Sequence, residues 1–302
     1  MSNNIPFNIE DIRHLYPFGS HWFEHDGLRQ HYLDEGEGDP IVMVHGNPSW
    51  SFLFRALIPA FRHENRVIVP DHIGCGLSDK PDAKRYSYTL EQRIRDLEAL
   101  IARLNITRPI TLVLHDWGGA IGMGFANRNA LRVKRLVLMN TAAFPLPDEM
   151  EFPWPLWLFR NSRLGEWANR GLNAFAEIAA RTSTYTPLSE ELQRAFTGPY
   201  DSWKNRVATT HFVQDIPLRP GDPSWGTIKQ IESGLAQFRN TPTLICWGQR
   251  DFIFKRAFLN TWRKHLPQAR VHTFPDAGHY LLEDVGEKVI GLMREFFARH
   301  PL

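Results

Sequence analysis

Short apolar runs rich in β-branched residues recur along the chain, at Ile41–Val44, Val67–Val69, Ile110–Leu114, Leu136–Met139 and Thr243–Trp247. Runs of this length without polar alternation read as strands covered on both faces. Between them lie helical patterns: Leu90, Ile94, Leu97, Ile101 and Leu104 fall three or four residues apart and share one helix face. Strand alternating with helix predicts an α/β fold with a mostly parallel central sheet flanked by helices.

The alternation stops after Asn140 and Thr141, where Pro145, Pro147, Pro153 and Pro155 break the pattern, and it resumes near Phe238–Pro242. The expected organisation is a core in two parts, residues 1–144 and 238–302, with a helical cap inserted over 145–237. The insert carries Trp154, Trp157, Trp167, Trp203 and Trp225. So many apolar rings are expected to fold down over the sheet, some gluing helices together and some lining a pocket.

With 302 residues, 43% hydrophobic and 23% charged, the chain has globular composition, which excludes disordered and fibrous classes. A net charge of +2 from scattered Lys and Arg excludes a field that would gather nucleic acid or an anionic membrane; a small apolar substrate fits better. Cys75 and Cys246, far apart in sequence, read as thiols. Met1–Glu10 lacks the basic and apolar regions of a signal peptide and no stretch is long enough to span a bilayer, so the expectation is a cytoplasmic protein without membrane insertion. The Trp-rich insert also offers a surface for homo-oligomerisation.

Chemistry concentrates where the run Ile110–Leu114 leads through His115-Asp116-Trp117-Gly118-Gly119 into the helix-compatible segment Ala120–Asn127. In a sharp strand–turn–helix of this kind, small residues let helix and strand pack closely and the central side chain stands exposed beside the helix N-terminus. Asp116 takes the nucleophile position, although Leu114 replaces the first glycine of the usual pattern, and an Asp at a strand end also reads as a helix cap. Two further segments weigh for the nucleophile: Trp247-Gly248-Gln249-Arg250-Asp251, and Asp276-Ala277-Gly278-His279 after the expected strand Arg270–Phe274. Nucleophile, acid and histidine then follow the chain order of α/β-hydrolases. Asn140 at the rival acid position cannot be an anion; Asp276 and Asp284 stand as alternatives to Asp251, and His115 reads as structural.

A carboxylate near its reference pKa of about 4 is ionised at neutral pH and attacks without a base. Its target is an sp³ carbon bearing a leaving group; the product is an alkyl ester of Asp116, which water activated by His279 can hydrolyse. Backbone N–H groups of Asn47 and Trp117 are placed to hold an oxyanion, while the Asn47 amide and the Trp117 indole offer neutral donors to a leaving halide or other diffuse anion. No ligand-spaced cluster and no dinucleotide-type glycine loop occurs, so neither metal nor organic cofactor is expected.

These residues resemble the haloalkane dehalogenases, particularly their third subfamily. The similarity runs over His45-Gly46-Asn47-Pro48-Ser49-Trp50, Pro70-Asp71-His72-Ile73-Gly74-Cys75-Gly76-Leu77-Ser78-Asp79-Lys80-Pro81, the turn at Asp116, Asn140-Thr141-Ala142-Ala143-Phe144 and Phe212-Val213-Gln214-Asp215-Ile216-Pro217-Leu218. It implies the α/β-hydrolase fold, a catalytic set of Asp116, His279 and Asp251, the halide pair Asn47 and Trp117, and hydrolysis of haloalkanes with a halide ion as product. The same segments are similar to the β-lactone decarboxylases of long-chain olefin formation, which would use the same residues. Epoxide hydrolases, with cap tyrosines for which Tyr185 and Tyr200 are the candidates, rank third, and a non-catalytic small-molecule receptor last.

Overall fold

The computed structural model describes residues 7–302; the reading of Met1–Glu10 therefore falls largely outside the described residues. Eight strands form one sheet: β1 (His21–His25), β2 (Leu28–Glu35), β3 (Asp39–Val44), β4 (Asn65–Pro70), β5 (Ile110–Asp116), β6 (Val133–Thr141), β7 (Thr243–Gly248) and β8 (Arg270–Phe274). Their order is β1-β2-β4-β3-β5-β6-β7-β8. All pairs from β4 onward in that order are parallel, whereas β1 and β2 form an antiparallel hairpin and β2 runs antiparallel to β4.

Every apolar run named from the sequence lies in a strand, and β5, at the centre, is buried along its whole length. Its side chains alternate between two cores, Leu112 and Leu114 on one face of the sheet and Val113 on the other, as a pleat covered on both sides requires. The stripe from Leu90 to Ile101 is buried on a helix spanning Leu90–Arg103, whose N-terminus Thr89 caps by accepting the Gln92 N–H at 3.4 Å.

Between β6 and β7 the chain forms helices over Trp154–Asn161, Arg163–Leu172, Ala174–Thr182, Glu190–Thr197, Val207–Gln214 and Trp225–Gly234. The last packs on the core helix Trp117–Arg128. The expectation for the tryptophans is corrected here. Trp154, Trp157, Trp167 and Trp203 are exposed, and none of the five lines the cavity above the sheet. For Trp167 the cause is visible in helix Arg163–Leu172, which turns its small and polar stripe, Gly165 and Asn169, inward; Asn169 Nδ2 donates to the hydroxyls of Thr209 at 3.1 Å and Thr210 at 2.8 Å.

Candidate active site

The parallel strands deliver their C-terminal ends to one edge of the sheet, the place where α/β sheets bind ligands. Asn47 follows β3, Asp116 ends β5, Asn140 lies near the end of β6, Asp251 follows β7 and His279 follows β8. Asp116 sits at φ 53°, ψ −127°, a strained backbone for a non-glycine residue, at the sharp junction into helix Trp117–Arg128. Close approach makes the turn possible: a Cβ on Gly118 would collide with the Val44 carbonyl, and one on Gly46 with the Asp116 carboxylate. The bulk of Leu114, where the usual pattern has glycine, is met by Gly122 one turn into the helix, since a Cβ there would strike the Leu114 methyls.

One oxygen of Asp116 is held by backbone donors. The Asn47 N–H donates to Oδ1 at 2.6 Å, and the Trp117 N–H also stabilises the carboxylate. The other oxygen, Oδ2, faces His279 Nε2 at 3.7 Å. His279 Nδ1 meets Asp251 Oδ2 at 2.8 Å. All three side chains are buried. The structure thus brings Asp116, His279 and Asp251 together, the grouping the sequence order suggested, and places Asp276 and Asp284 otherwise. Asp276 is exposed, and Asp284 is committed to the N–H groups of Gly278, Tyr185 and Thr186.

Electrostatics follow from burial and pairing. Burial pushes the Asp116 carboxyl up from its ordinary value, and His279 with the Asn47 and Trp117 N–H groups offsets this only in part. Its protonation equilibrium therefore lies above that of a free carboxylate. Burial pushes the other way on the His279 imidazole, but the Asp251 carboxylate, its hydrogen bond and Asp116 outweigh it, so the imidazolium is favoured. Asp251 is held below its ordinary value: the cost of burial is overcome by His279 and by the N–H groups of Ile253 and Phe254.

Two buried residues that sequence reasoning set aside complete this arrangement. Asn140 donates through Nδ2 to Asp251 Oδ2 at 2.9 Å while its Oδ1 accepts the Gly248 N–H at 2.7 Å, so the residue excluded as an acid orients the Asp251 carboxylate instead. His115 holds the His279 backbone: its Nε2 bonds the His279 carbonyl at 2.8 Å. Burial lowers the His115 pKa to about 3, so it is neutral and structural, and that bond is a donated N–H.

The cavity above Asp116 encloses about 850 Å³ of empty space including its mouth, and among its lining residues only Asn47, Asp116 and Trp117 carry polar side-chain atoms. The Asn47 amide is partly committed, with Nδ2 donating to the Thr209 carbonyl at 3.1 Å, which leaves one N–H for the cavity. Trp117 packs edge-on against Phe212, ring centroids 5.5 Å apart. Tyr200 is buried with its hydroxyl on the Ser49 carbonyl at 3.3 Å and Tyr185 is exposed; neither lines the cavity, which leaves no tyrosine to protonate an epoxide oxygen there.

Behind the neutral donors lies Arg93, a residue the sequence did not point to. Its guanidinium is fully buried, 3.6 Å from the Phe212 ring centroid and 5.7 Å from that of Trp117, with Asp215 as its ion pair at 3.3 Å. Nε and Nη2 have no partner among the described residues. Because Asp215 neutralises much of its charge, Arg93 stands behind Trp117 as one half of a buried ion pair and not as a free cation.

A family model described as the alpha/beta hydrolase fold matches residues 39–284. The chain belongs to the α/β-hydrolase fold family. Within it, this hydrolase is 52% identical to a cis-3-alkyl-4-alkyloxetan-2-one decarboxylase of Shewanella oneidensis, over 94% of this chain and 90% of that protein. It is 30% identical to haloalkane dehalogenase 2 of Mycobacterium bovis, over 94% and 96%. Among solved structures, it resembles a haloalkane dehalogenase from Agrobacterium tumefaciens with TM-score 0.83 and 26% identity, covering 93% of this hydrolase and 96% of that one. Both substrate classes inferred from the sequence are thus represented among its relatives.

Proposed function

We propose that the protein is a cis-3-alkyl-4-alkyloxetan-2-one decarboxylase, converting a disubstituted β-lactone into an olefin and carbon dioxide. The observation that carries this is the identity to the Shewanella decarboxylase, well above that to the dehalogenase relatives. It moves the β-lactone ahead of the haloalkane. A cavity whose walls are apolar apart from Asn47, Asp116 and Trp117 suits a substrate whose two alkyl chains need only apolar surroundings.

The steps use the chain's own groups. Asp116 Oδ2 attacks the ring carbon C4, forming a C–O bond to the enzyme while the C4 to ring-oxygen bond breaks and its electrons pass to the released carboxylate on C3. That carboxylate takes the free Asn47 Nδ2–H and the Trp117 indole N–H. The bond from C3 to the carboxylate then breaks. Its electron pair becomes the C3=C4 double bond, the C4–O bond to Asp116 breaks, carbon dioxide leaves and Asp116 regains its charge. No water and no net proton are consumed. Inversion at C4 followed by anti loss gives the cis olefin from the cis lactone.

Haloalkane hydrolysis is the second reading, supported by the structural likeness to dehalogenases. After halide departure the ester has no internal electron pair to release Asp116, so water must enter against the ester carbonyl. Esterification removes one of the charges that raise the His279 pKa, which leaves the imidazole readier to act as base. The deciding experiment supplies purified protein with a long-chain cis-β-lactone, 1,2-dibromoethane and 1-bromobutane in parallel, following olefin and halide. Halide release without olefin would overturn the decarboxylase reading.

A further inference from the structure

We propose that Asp284 is a positioning residue for His279, its carboxylate clamping to the cap the loop that presents the imidazole. Oδ2 accepts the N–H of Gly278, the residue directly before His279, at 2.8 Å, and that of Tyr185 at 2.9 Å. Oδ1 accepts the N–H groups of Tyr185 and Thr186, both at 3.0 Å. Asp284 stands in the first turn of helix Leu281–Arg299, where a carboxylate ordinarily serves the N–H groups and the dipole of its own helix. None of its donors among the described residues belongs to that helix. Gly278 comes from the loop after β8, Tyr185 and Thr186 from the cap, and the carboxylate joins the two.

The loop is held from both sides. On the core side the Ala277 carbonyl accepts the Arg250 N–H at 2.9 Å and the His279 carbonyl accepts His115 Nε2–H at 2.8 Å. On the cap side the Tyr280 N–H donates to the Ser183 carbonyl at 2.7 Å, and the Gly278 N–H reaches the cap through Asp284. A Cβ on Gly278 would stand 2.5 Å from the Ser183 carbonyl oxygen, so the two backbones pack with no side chain between them. Ser183 ends helix Ala174–Thr182, whose Phe175 lines the cavity; the clamp therefore ties His279 to a wall of the substrate site. What it protects is a narrow geometry, Nδ1 at 2.8 Å from Asp251 and Nε2 at 3.7 Å from Asp116. A displacement of about 1 Å in such a constellation costs about 100-fold in rate. Asparagine cannot replace the carboxylate, because its one acceptor oxygen serves a single side. Turned to Gly278, it sets its NH₂ against the Thr186 N–H; turned to the cap, it sets the NH₂ against Gly278.

The test titrates the full chain, without substrate and with its histidines labelled by nitrogen-15, following the His279 ring nitrogens by NMR; their signals are assigned by their loss in H279Q. The groups facing that imidazole are Asp251, Asp116, His115 and Tyr280, and the variants leave each of them in place. In D284N and D284A the raised His279 pKa should fall back toward its ordinary value as the loop draws away from Asp251 and Asp116. E283Q is the control for a merely structural role. It breaks the bidentate pair of Glu283 with Arg55, at 2.5 and 2.7 Å, on the same turn of the helix, and its side chain bonds neither the loop nor the cap. It should lower the melting temperature and leave the titration as in wild type. A wild-type titration in both Asp284 variants, or the same shift in E283Q, overturns the proposal. With 1-bromobutane, D284N should keep the rate of the bromide burst, which needs only Asp116, and lose about 100-fold in steady-state turnover, which needs His279; equal loss in both phases also overturns it. The titration needs no turnover, so it decides the role of Asp284 whether the site takes a lactone or a haloalkane.

Discussion

Replacing Asp251 by Asn is isosteric but reverses the sense of hydrogen bonds that the structure specifies completely. Oδ2 accepts from His279 at 2.8 Å and from Asn140 at 2.9 Å, and Oδ1 accepts from the N–H groups of Ile253 at 2.7 Å and Phe254 at 2.9 Å. The new NH₂ must face one of these donor pairs. Turned toward the loop, it leaves two buried N–H groups unsatisfied, about 1–3 kcal/mol each. Turned toward His279, it leaves only Asn140 Nδ2 opposed, because the imidazole can move its proton to Nε2. This is the cheaper arrangement, and with loss of a charge-assisted bond it costs about 2–4 kcal/mol. Since the folded His279 pKa is raised, the stability it contributes is fully present below its unfolded pKa of about 6.5 and is lost as pH rises through the folded value. Asp251, with its lowered pKa, remains ionised throughout that range. Urea unfolding of wild type and D251N should therefore differ more at pH 6 than at pH 9. The variant also presents Nε2–H to Asp116, the wrong tautomer for a base, a defect worth about 10⁴ in rate where the histidine must take a proton. Bromobutane hydrolysis should collapse by that order while lactone decarboxylation, which uses no base, falls far less. A stability loss under about 1 kcal/mol, or equal losses at both pH values, would refute the hydrogen-bond argument; equal rate losses on both substrates would refute the assignment of water activation to His279.

Asp116→Ala should abolish turnover of either substrate, measured as olefin or halide, because no other carboxylate lines the cavity. Turnover in H₂¹⁸O should place label in the Asp116 carboxylate with a haloalkane and leave it unlabelled with a cis-β-lactone, read by peptide mass. Asn47→Ala or Trp117→Phe should lower kcat by about 100-fold, as loss of a preorganised anion donor does; unchanged rates would put the leaving-group site elsewhere. Attack needs ionised Asp116, whose pKa is raised, so kcat/KM should fall on acidification with an apparent pKa above the free aspartate value of about 4; a limb at or below that value would contradict the burial argument.

The parallel strands were legible because each is a short continuous apolar run, and the site because its residues terminate those runs. The hairpin of β1 and β2 was not. Its strands, with polar residues such as His21, Glu24, Arg29 and Gln30, lack apolar continuity, and the signal that could have found them is Asp26-Gly27, both at positive φ (51° and 70°) in the turn between them. Arg93 was hidden for a different reason. It lies one residue before Ile94 on a helix whose apolar stripe was read correctly, and nothing local says that this side of the stripe also turns inward, toward Phe212 and Trp117. Trp167 is the converse: composition says it is apolar, but the inward pull of Asn169 onto Thr209 and Thr210 decides which way its helix faces.

The two reactions share every residue because their first step is the same, displacement at sp³ carbon by a buried carboxylate whose leaving group is received by Asn47 and Trp117. They diverge in what the leaving group does next. A halide departs with its electrons, so the ester persists until water, directed by His279 and Asp251, breaks it. The carboxylate released from a β-lactone stays tethered to the adjacent carbon, two bonds from the ester oxygen's carbon, and the electron pair of the bond that holds it can expel Asp116 directly. The branch point is therefore a property of the substrate, and the protein influences it mainly through what the cavity admits and whether water enters with it. For this reason the catalytic residues alone could not separate the two readings, whereas divergence of the two relatives along the whole chain, cap included, does bear on them.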